Sequence, residues 1–413
     1  MLFNAACPTV MHVDINSCFA TIEQQANLFL RGKPVAVAAY TTSSGCILAP
    51  SIEAKRYGIK TGMRVYEGRA LFPDLIVIPP DPNKYRHVHL KLRDILSRYT
   101  DDFYPKSIDE FVLNLTKSHC LRKMSMNQIG EEIKNRIRVE IGEWISVSMG
   151  IGASRFLAKT AAGLKKPDGM ETIDVNNFEK IYKRMKLTDL HGVNTRNEVR
   201  LKSAGVSSVW EMYCADLPTL KAAFRSVLAF YWFTRIRGWE IDNVEFGRRS
   251  YGNSYSIPER LITPRQLSPV LAKLVNKAAR RMRNSGYVAY GVHVSASYKH
   301  AHFWNKSEIN KTPLFDTRDI FKKAFNILTK SPGEEPVHTL AVSLYDIVKG
   351  APPQLELFRD TIKKVNITAA MDKLNKRWGD YTLVTANTFP ARGAVQDRIA
   401  FGGIKELEEF TLG

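Results

Sequence analysis

The sequence lacks a long apolar segment, a cysteine pair and an excess of acidic charge. No apolar run reaches the roughly 18 residues that a membrane-spanning helix needs, and the first residues lack the basic segment of a secretory signal. The cysteines show no CxxC spacing and are spread along the chain as Cys7, Cys18, Cys46, Cys120 and Cys214. A disulfide framework or a cysteine zinc site is therefore not indicated, and we expect a reduced, cytoplasmic protein.

Basic residues clearly outnumber acidic ones. The 413 residues include 60 Lys and Arg against 41 Asp and Glu, which gives a formal charge of +19 and a pI near 9.6. Such a charge favours a polyanionic partner, either nucleic acid or an anionic membrane surface. The length predicts about two to four domains.

The positive charge is concentrated in residues 246–350, which contain 17 Lys and Arg but 7 Asp and Glu. The segment LAKLVNKAARRMR alone carries Lys273, Lys277, Arg280, Arg281 and Arg283. A charge run of this kind is usually a solvated helix face. Because the preceding segment is also basic, we predict contact with a phosphate backbone.

Hydrophobic periodicity predicts several structural regions along the chain. Strands and helices alternate over residues 8–174, with a helix at about 85–99, and residues 187–240 look all-helical. The polar, Gly-containing segment 246–256 is predicted to be a linker. A small α+β domain follows to residue 350, with helices at about 264–284 and 316–329, and a short helix is expected near 367–378.

Two neighbouring acids, Asp109 and Glu110, lie in the strand-like run SIDEFVLNL, and Asp14 ends the apolar strand VMHVDI. Most acid pairs in a hairpin simply face water. Here the apolar flanks indicate partial burial, and adjacent strand residues reach one site only near a turn or bulge. If the three carboxylates converge, their repulsion requires divalent cations, and two Mg²⁺ ions would support phosphoryl transfer.

Six segments of the sequence occur in an order that resembles the Y-family translesion DNA polymerases, over roughly residues 8–350. They are HVDINSCFATIE, RGKPVAV, GCILAPSIEAKRYGIKTGM, SIDEFVLNL, VSMGIGASRFLAKTAAGLKKPDG and LHGVNTRNEVRLKSAG. The stretch around EAK looks closer to the bacterial polymerase V catalytic subunit than to polymerase IV.

The resemblance implies a multidomain α+β fold with the right-hand architecture of polymerases. The palm would be residues 1–18 and 79–174, and the small fingers 19–78. The helical thumb would be 175–245, and an α+β little finger would span 257–350 after the linker 246–256. Residues 351–413 would form a C-terminal tail.

The resemblance also assigns roles to individual residues. Asp14, Asp109 and Glu110 match the catalytic, metal-binding carboxylates, and the main-chain carbonyl of Ile15 would contact a metal ion. Phe19 matches the aromatic steric gate that excludes a ribose 2′-hydroxyl, although without the motif it would be read as a core aromatic.

The predicted triphosphate contacts follow the family in part. Lys166, in KKPDG, matches the lysine that meets the triphosphate, although a lysine before proline is otherwise a solvated helix end. Lys159, about two helix turns earlier in the sequence, is expected to be structural or to face DNA. The fingers have Ile52 and Lys55 where many family members have Tyr and Arg, so Lys55 is the expected phosphate ligand, with Arg56 as an alternative.

The pocket roof would consist of Cys46, Leu48 and Ala49, none of which is large. A loose pocket accepts distorted templates but discriminates poorly. We therefore expect a DNA-directed DNA polymerase of low fidelity that bypasses lesions without proofreading. It would use primer-template DNA, dNTPs and two Mg²⁺ ions, for which Mn²⁺ can substitute.

The segment QLELF resembles the peptide by which bacterial polymerases bind the sliding clamp. Gln354 would donate or accept hydrogen bonds, and Leu355, Leu357 and Phe358 would fill an apolar pocket. The alternative is that these residues are buried in the protein's own core.

Three other functions are compatible with parts of the sequence. A catalytically weak DNA- and clamp-binding adaptor would not need three costly carboxylates. A two-metal nuclease would need neither a steric gate nor a triphosphate lysine, and a membrane-surface protein would need a free basic amphipathic helix. We expect a monomer that does not bind membranes, with accessory subunits left open.

Overall fold

The structure is a computed structural model, and it describes residues 1–243, 247–298, 302–333, 335–350, 361–379, 381–391 and 393–395. The described chain divides into two units, one within Met1–Glu245 and one within Phe246–Asp397. Both units contain sheets and helices, which confirms the predicted multidomain α+β class. In the part of the chain that the structure describes, no helix has the length and apolar character to cross a membrane.

The first unit alternates strands and helices up to Ile173 and is helical beyond it. Its strands are β1 Val10–Ile15, β2 Val35–Ala38, β3 Ile47–Pro50, β4 Ile76–Ile78, β5 Phe103–Pro105, β6 Glu110–Asn114, β7 Val147–Gly152 and β8 Met170–Ile173. Its α-helices are α1 Cys18–Ala26, α2 Ile52–Arg56, α3 Val65–Leu71, α4 Pro82–Ser97, α5 Met126–Glu140, α6 Arg155–Leu164, α7 Phe178–Tyr182, α8 Thr195–Ser203, α9 Val209–Cys214, α10 Leu217–Phe224 and α11 Leu228–Arg235. Short 3-10 helices span Leu28–Leu30, His119–Arg122 and Leu187–Asp189.

The larger sheet of this unit has the strand order β5-β6-β1-β7-β8. β1 pairs antiparallel with both β6 and β7. Because successive strand residues face opposite sides, Met11, Val13 and Ile15 enter the main core, whereas His12 and Asp14 face the other side. The strand therefore carries its carboxylate to its end, on the face away from the main core.

Two glycines of β7 let α6 lie close against this sheet. A Cβ on Gly150 would be 2.0 Å from the carbonyl oxygen of Ala158, and one on Gly152 would be 2.6 Å from Cβ of Leu157. Gly150 pairs directly with His12, and residues paired across antiparallel strands share a face. The GIG sequence therefore places α6, with its lysine, on the face that bears His12 and Asp14.

A smaller sheet, β3-β2-β4, lies within residues 35–78 and has a core of its own. β2 pairs antiparallel with β3 and parallel with β4. The core consists of Ala36, Ala38, Ile47, Ala54, Ile59, Val65 and Leu75.

The second unit is a sheet of order β11-β10-β12-β9 with helices α12 and α13 against it. Thr263 caps α12 in a capping box with Gln266, which is why the helix begins where the sequence predicts. Its strands are β9 Ser250–Ser256, β10 Tyr287–Tyr298, β11 Phe303–Leu314 and β12 Val337–Lys349; its helices are α12 Pro264–Asn284, α13 Thr317–Leu328 and α14 Thr361–Trp378, and a 3-10 helix spans Ala386–Ala391.

The structure corrects the predicted linker 246–256. Residues Ser250–Ser256 form β9, which pairs antiparallel with β12 from Tyr345↔Ser250 to Thr339↔Ser256. The segment is polar because β9 is an edge strand with alternate residues exposed and only Tyr251 buried. A polar edge strand has little hydrophobic alternation, so the sequence alone does not distinguish it from a linker.

The cations of α12 are partly bound within the unit. Lys273 is 4% exposed, and its Nζ donates to the carbonyl oxygens of Ala391, at 3.2 Å, and of Ala394. Arg283 forms two hydrogen bonds of 2.7 and 2.9 Å with Asp372 of α14. The helix thus presents fewer free charges for a phosphate backbone than its sequence indicated. The predicted clamp peptide, Gln354 to Phe358, lies outside the described residues.

Candidate active site

Asp14 and Glu110 lie side by side because their strands pair in register. Asp14 of β1 is the direct partner of Glu110, the first residue of β6. Asp109 immediately precedes that strand, and its carbonyl oxygen accepts a 3.0 Å hydrogen bond from the N–H of Ile15. The structure therefore brings the three predicted carboxylates together at the end of a strand pair.

His12 is a further residue of this cluster. His12, Asp14 and Glu110 each offer one ligand atom, and these three atoms lie within 4.8 Å of one another. Among the described residues, this is the group that could hold a metal ion. Nε2 of His12 is 3.9 Å from Oε2 of Glu110. Burial lowers the pKa of His12 to about 3, so the ring is neutral at pH 7. Sequence reasoning missed it because a histidine in an apolar strand reads as core, although its spacing of two from Asp14 places both on one face.

Two lysines neutralise two of the carboxylates. Nζ of Lys159, on α6, is 2.7 Å from Oε2 of Glu110, and Nζ of Lys166 is 2.5 Å from Oδ2 of Asp14. Asp109 instead accepts a short hydrogen bond from the hydroxyl of Ser107. Lys166 was predicted to contact a triphosphate, whereas the contact between Lys159 and Glu110 was not foreseen.

Burial has the largest influence on the pKa values of the three carboxylates, and repulsion between carboxylates adds to the rise for Asp14 and Asp109. Burial raises the pKa of Asp14, with Lys166 opposing the rise. Burial raises the pKa of Asp109 to about 6, against the hydrogen bond from Ser107 and helped by the charge of Asp14. For Glu110, burial also acts to raise the pKa, but the hydrogen bond and the charge of Lys159 bring it below its usual value. A divalent cation would relieve this repulsion.

A cavity of about 240 Å³ opens next to the carboxylates. Its lining includes most of the residues predicted to act in the site, together with residues of β3. The lining residues are Asp14, Ile15, Ser17, Cys18, Phe19, Leu48, Ala49, Pro50, Lys55, Thr61, Ser107, Ile108, Asp109, Glu110 and Lys166.

The lining of this cavity bears on the choice between Lys55 and Arg56 as the triphosphate ligand, which the sequence left open. Lys55 lines it, whereas Arg56 and Ile52 do not. Partial desolvation lowers the pKa of Lys55, and the charge of Lys166, which lines the same cavity, adds to this effect. Leu48 and Ala49 form part of the wall as expected, and Cys46 does not line it.

A second cavity, of about 520 Å³, begins at Asp14 and Glu110 and extends to residues 188–194. Lys159 and Lys166 line it on one side and Gly192 on the other. Gly192 has φ +96, a conformation that favours glycine. The lining of this cavity therefore brings two lysines next to Asp14 and Glu110.

Comparisons with known proteins identify the family. Two models of the impB/mucB/samB family match, one over residues 13–163 and its C-terminal domain over residues 248–357. DNA polymerase IV of Pelotomaculum thermopropionicum is 29% identical, over 95% of this chain and 98% of that protein. DNA polymerase IV 1 of Bacillus subtilis is also 29% identical, over 90% of each chain. The expected closer likeness to polymerase V stays a prediction.

Solved structures show the same fold. A Y-family DNA polymerase chimera containing Dbh has a TM-score of 0.73 at 22% identity, over 82% of this chain and 99% of that chain. An insertion ternary complex of Dbh DNA polymerase has a TM-score of 0.58 at 22% identity with the same coverage. The matching models, relatives and folds together confirm that this chain belongs to the Y family of DNA polymerases.

Proposed function

We propose that the chain extends a DNA primer on a template by transferring nucleotides from dNTPs at Asp14, Asp109 and Glu110. The observation that carries this proposal is the meeting of the three carboxylates with Lys166 and Phe19 around one cavity. The activity is that of a DNA-directed DNA polymerase of translesion synthesis, in keeping with the family.

The carboxylates suit two Mg²⁺ ions, for which Mn²⁺ can substitute. Carboxylate and carbonyl oxygens are the ligands that such hard cations prefer, and Ile15 lines the cavity beside Asp14. When bound, the ions would activate the primer hydroxyl and stabilise the charge of the triphosphate. In the free protein, Lys159 and Lys166 contact Glu110 and Asp14 and stabilise their ionised forms, and these carboxylates would hold the ions.

The remaining residues of the cavity orient the nucleotide. Lys166 and Lys55 donate to the triphosphate after Lys166 leaves Asp14. Phe19 lies under the sugar, where its ring excludes a 2′-hydroxyl. Leu48 and Ala49, neither of which is large, leave room above the base pair, which supports low fidelity and the bypass of damaged templates.

We assign the palm to residues 1–18 and 79–174, the fingers to 19–78 and the thumb to 175–245. The little finger is assigned to 250–350, since β9 belongs to its sheet. The large positive charge supports primer-template binding through phosphates. We also propose that the chain works in the cytoplasm as a monomer.

We propose that residues 354–358 bind a bacterial sliding clamp. Replacing Leu357 and Phe358 with alanine should abolish stimulation of synthesis by the clamp and leave synthesis without the clamp unchanged. A clamp-binding curve that is the same for both proteins would remove this partner.

Primer extension with Mg²⁺ on an undamaged and on an abasic template tests the proposed reaction. The unaltered protein should extend both primers, and Asp14→Ala, Asp109→Ala and Glu110→Ala should each lower the rate by about a thousandfold or more, since several kcal/mol of charge stabilisation is removed. DNA affinity should change little. Binding of DNA without any extension by the unaltered protein would instead identify an adaptor.

A further inference from the structure

Lys166 lies in the tight turn that joins α6 to β8. A Cβ on Gly169 would lie 1.9 Å from the carbonyl oxygen of Lys165, so the close approach of the chain requires glycine. Asp168 has φ +54, a left-handed conformation that is uncommon outside glycine, although Asp adopts it more often than most residues. The end of the turn is held by β7, since the N–H of Met149 donates a 2.9 Å hydrogen bond to the carbonyl oxygen of Gly169. The shape of this turn therefore depends on the structure around it.

Two cations of α5 hold Asp168. Nη2 of Arg138 is 2.7 Å from Oδ2 of Asp168, and Nζ of Lys134 is 3.4 Å from Oδ1. The same ammonium group donates a short hydrogen bond to the main-chain carbonyl oxygen of Asp168. Because Lys134 and Arg138 are four residues apart, they lie on one face of α5. One face of this helix therefore holds both the side chain and the main chain of Asp168.

The attachment of the turn to α5 is rigid. Lys134 is 5% exposed, and a buried ammonium group is costly unless it has a partner. Three isoleucines of α5 lie in the main core of the first unit, namely Ile129, Ile133 and Ile137. Asp168 is thus bound to a helix that is itself fixed by close packing.

We infer that Lys134 and Arg138 are positioning residues for Lys166, which act through Asp168 and set the place of its ammonium group in the cavity beside the carboxylates. That group lies 2.5 Å from Oδ2 of Asp14, and its residue is only two positions before Asp168. The inference rests on the proposed function, in which Lys166 donates to the triphosphate. Charge-assisted hydrogen bonds depend on distance and angle. A turn that can shift should therefore bind the nucleotide less tightly.

The competing explanation is that these ion pairs only stabilise the fold. A role in stability alone predicts a lower Tm, with the KM for dNTP unchanged in the folded protein. Arg136 provides a matched control, because it lies on the same helix and forms its ion pairs with Glu132 and Glu140 of α5. Its loss should therefore leave the turn in place.

The test is single-nucleotide insertion of a dNTP, with kcat and KM measured and Tm recorded for every variant. Lys134→Met and Arg138→Met should each raise the KM about three- to fivefold, which is less than the effect of removing Lys166, because the ammonium group is displaced rather than lost. The value of kcat should change less than KM, since nucleotide binding is weakened before the chemical step. Lys134→Arg retains a cation and should recover most of the affinity, and Arg136→Met should keep the original KM.

A double variant shows whether Lys134 acts through Lys166. In a protein that already carries Lys166→Ala, adding Lys134→Met should cause no further rise in KM, because the group that Lys134 positions is absent. If the two changes instead multiply their effects on KM, Lys134 acts by another route and the inference is wrong.

The outcomes separate this inference from the proposed triphosphate contact. If Lys166→Ala raises the KM but Lys134→Met and Arg138→Met do not, the positioning role is refuted and the contact of Lys166 stands. If Lys166→Ala leaves the KM unchanged, the triphosphate contact itself is refuted. Should Lys134→Met fail to fold, Asp168→Asn removes the charge that both cations hold, tolerates the left-handed conformation and carries the same expectation.

Discussion

Asp14 and Glu110 are direct partners on adjacent antiparallel strands, and each carboxylate is paired with its own lysine. Strand register brings the acids together. The two glycines of β7 let α6 lie close to the sheet, and Nζ of Lys159 on that helix is 2.7 Å from Oε2 of Glu110. In the free protein, the two lysines supply positive charge directly beside these two carboxylates. Metal and nucleotide would replace these contacts with stronger ones.

The first prediction concerns the lysine of Asp14. Lys166→Ala should raise the KM for dNTP about tenfold or more, because a charge-assisted hydrogen bond contributes about 1.5–3 kcal/mol. Steady-state insertion kinetics measure this change. Lys165→Ala is the matched control, since the neighbouring Lys165 is bound to Glu171 at 2.8 Å. An equal rise in KM for both variants would contradict the role of Lys166.

The second prediction separates Lys55 from Arg56 on the fingers. Lys55 lines the cavity and Arg56 does not, so Lys55→Ala should raise the KM for dNTP several-fold while Arg56→Ala leaves it unchanged. Both variants should keep the Tm of the unaltered protein, because neither residue belongs to a hydrophobic core. The opposite order of effects would assign the triphosphate contact to Arg56.

The third prediction concerns the pH dependence of stability. His89 is fully buried, its Nδ1 donates a 2.9 Å hydrogen bond to the carbonyl oxygen of Ile108, and burial lowers its pKa. Below about pH 6.5 the unfolded chain binds a proton that the folded chain does not, so stability falls as pH falls through 6.5, by up to about 1.4 kcal/mol per pH unit.

Calorimetry between pH 7.5 and 5.5 measures this effect as a decrease of Tm. His89→Gln retains an N–H donor but does not titrate, so its Tm should fall less over this range. His87→Gln, at an exposed position two residues earlier, should behave as the unaltered protein does. Parallel Tm curves for all three proteins would rule out His89 as the cause.

The fourth prediction concerns DNA binding by the second unit. Lys273 and Arg283 are bound within the chain, so Lys273→Met and Arg283→Met should lower Tm but leave the salt dependence of DNA affinity unchanged. The double variant Arg248→Ala, Arg249→Ala should make the plot of log K against log salt concentration less steep. Its slope should decrease in magnitude by about 0.9 for each phosphate that the protein no longer neutralises. Affinity titrations at several salt concentrations measure both, and a smaller slope for Lys273→Met would restore α12 as a phosphate-binding helix.

Local sequence patterns were sufficient for the elements that carry the acids. The apolar runs around Asp14 and Glu110 predicted β1 and β6, and hydrophobic periodicity predicted α12. Edge strands were less visible: β11 has a polar sequence with much of it exposed, so no hydrophobic alternation marks it.

The contacts of the site depend on pairing between distant segments. Which residue of β6 lies opposite Asp14 follows from register, and the contact of Lys159 follows from the seating of α6 on Gly150. Neither is encoded in a short motif. The stack of Phe19 on Tyr85 likewise joins helices that are about sixty residues apart in sequence, which periodicity alone cannot reveal.

The number of Mn²⁺ ions bound to the complex with DNA and dNTP tests the central claim most directly. A primer ending in a dideoxynucleotide prevents reaction, and electron paramagnetic resonance measures the free Mn²⁺ that remains. The unaltered protein should bind about two ions per complex, Asp109→Ala should bind at least one fewer, and Asp101→Ala, at an exposed position, should keep both. If Asp109→Ala binds as many ions as the unaltered protein with the same affinity, the assignment of the metal site to Asp14, Asp109 and Glu110 is wrong.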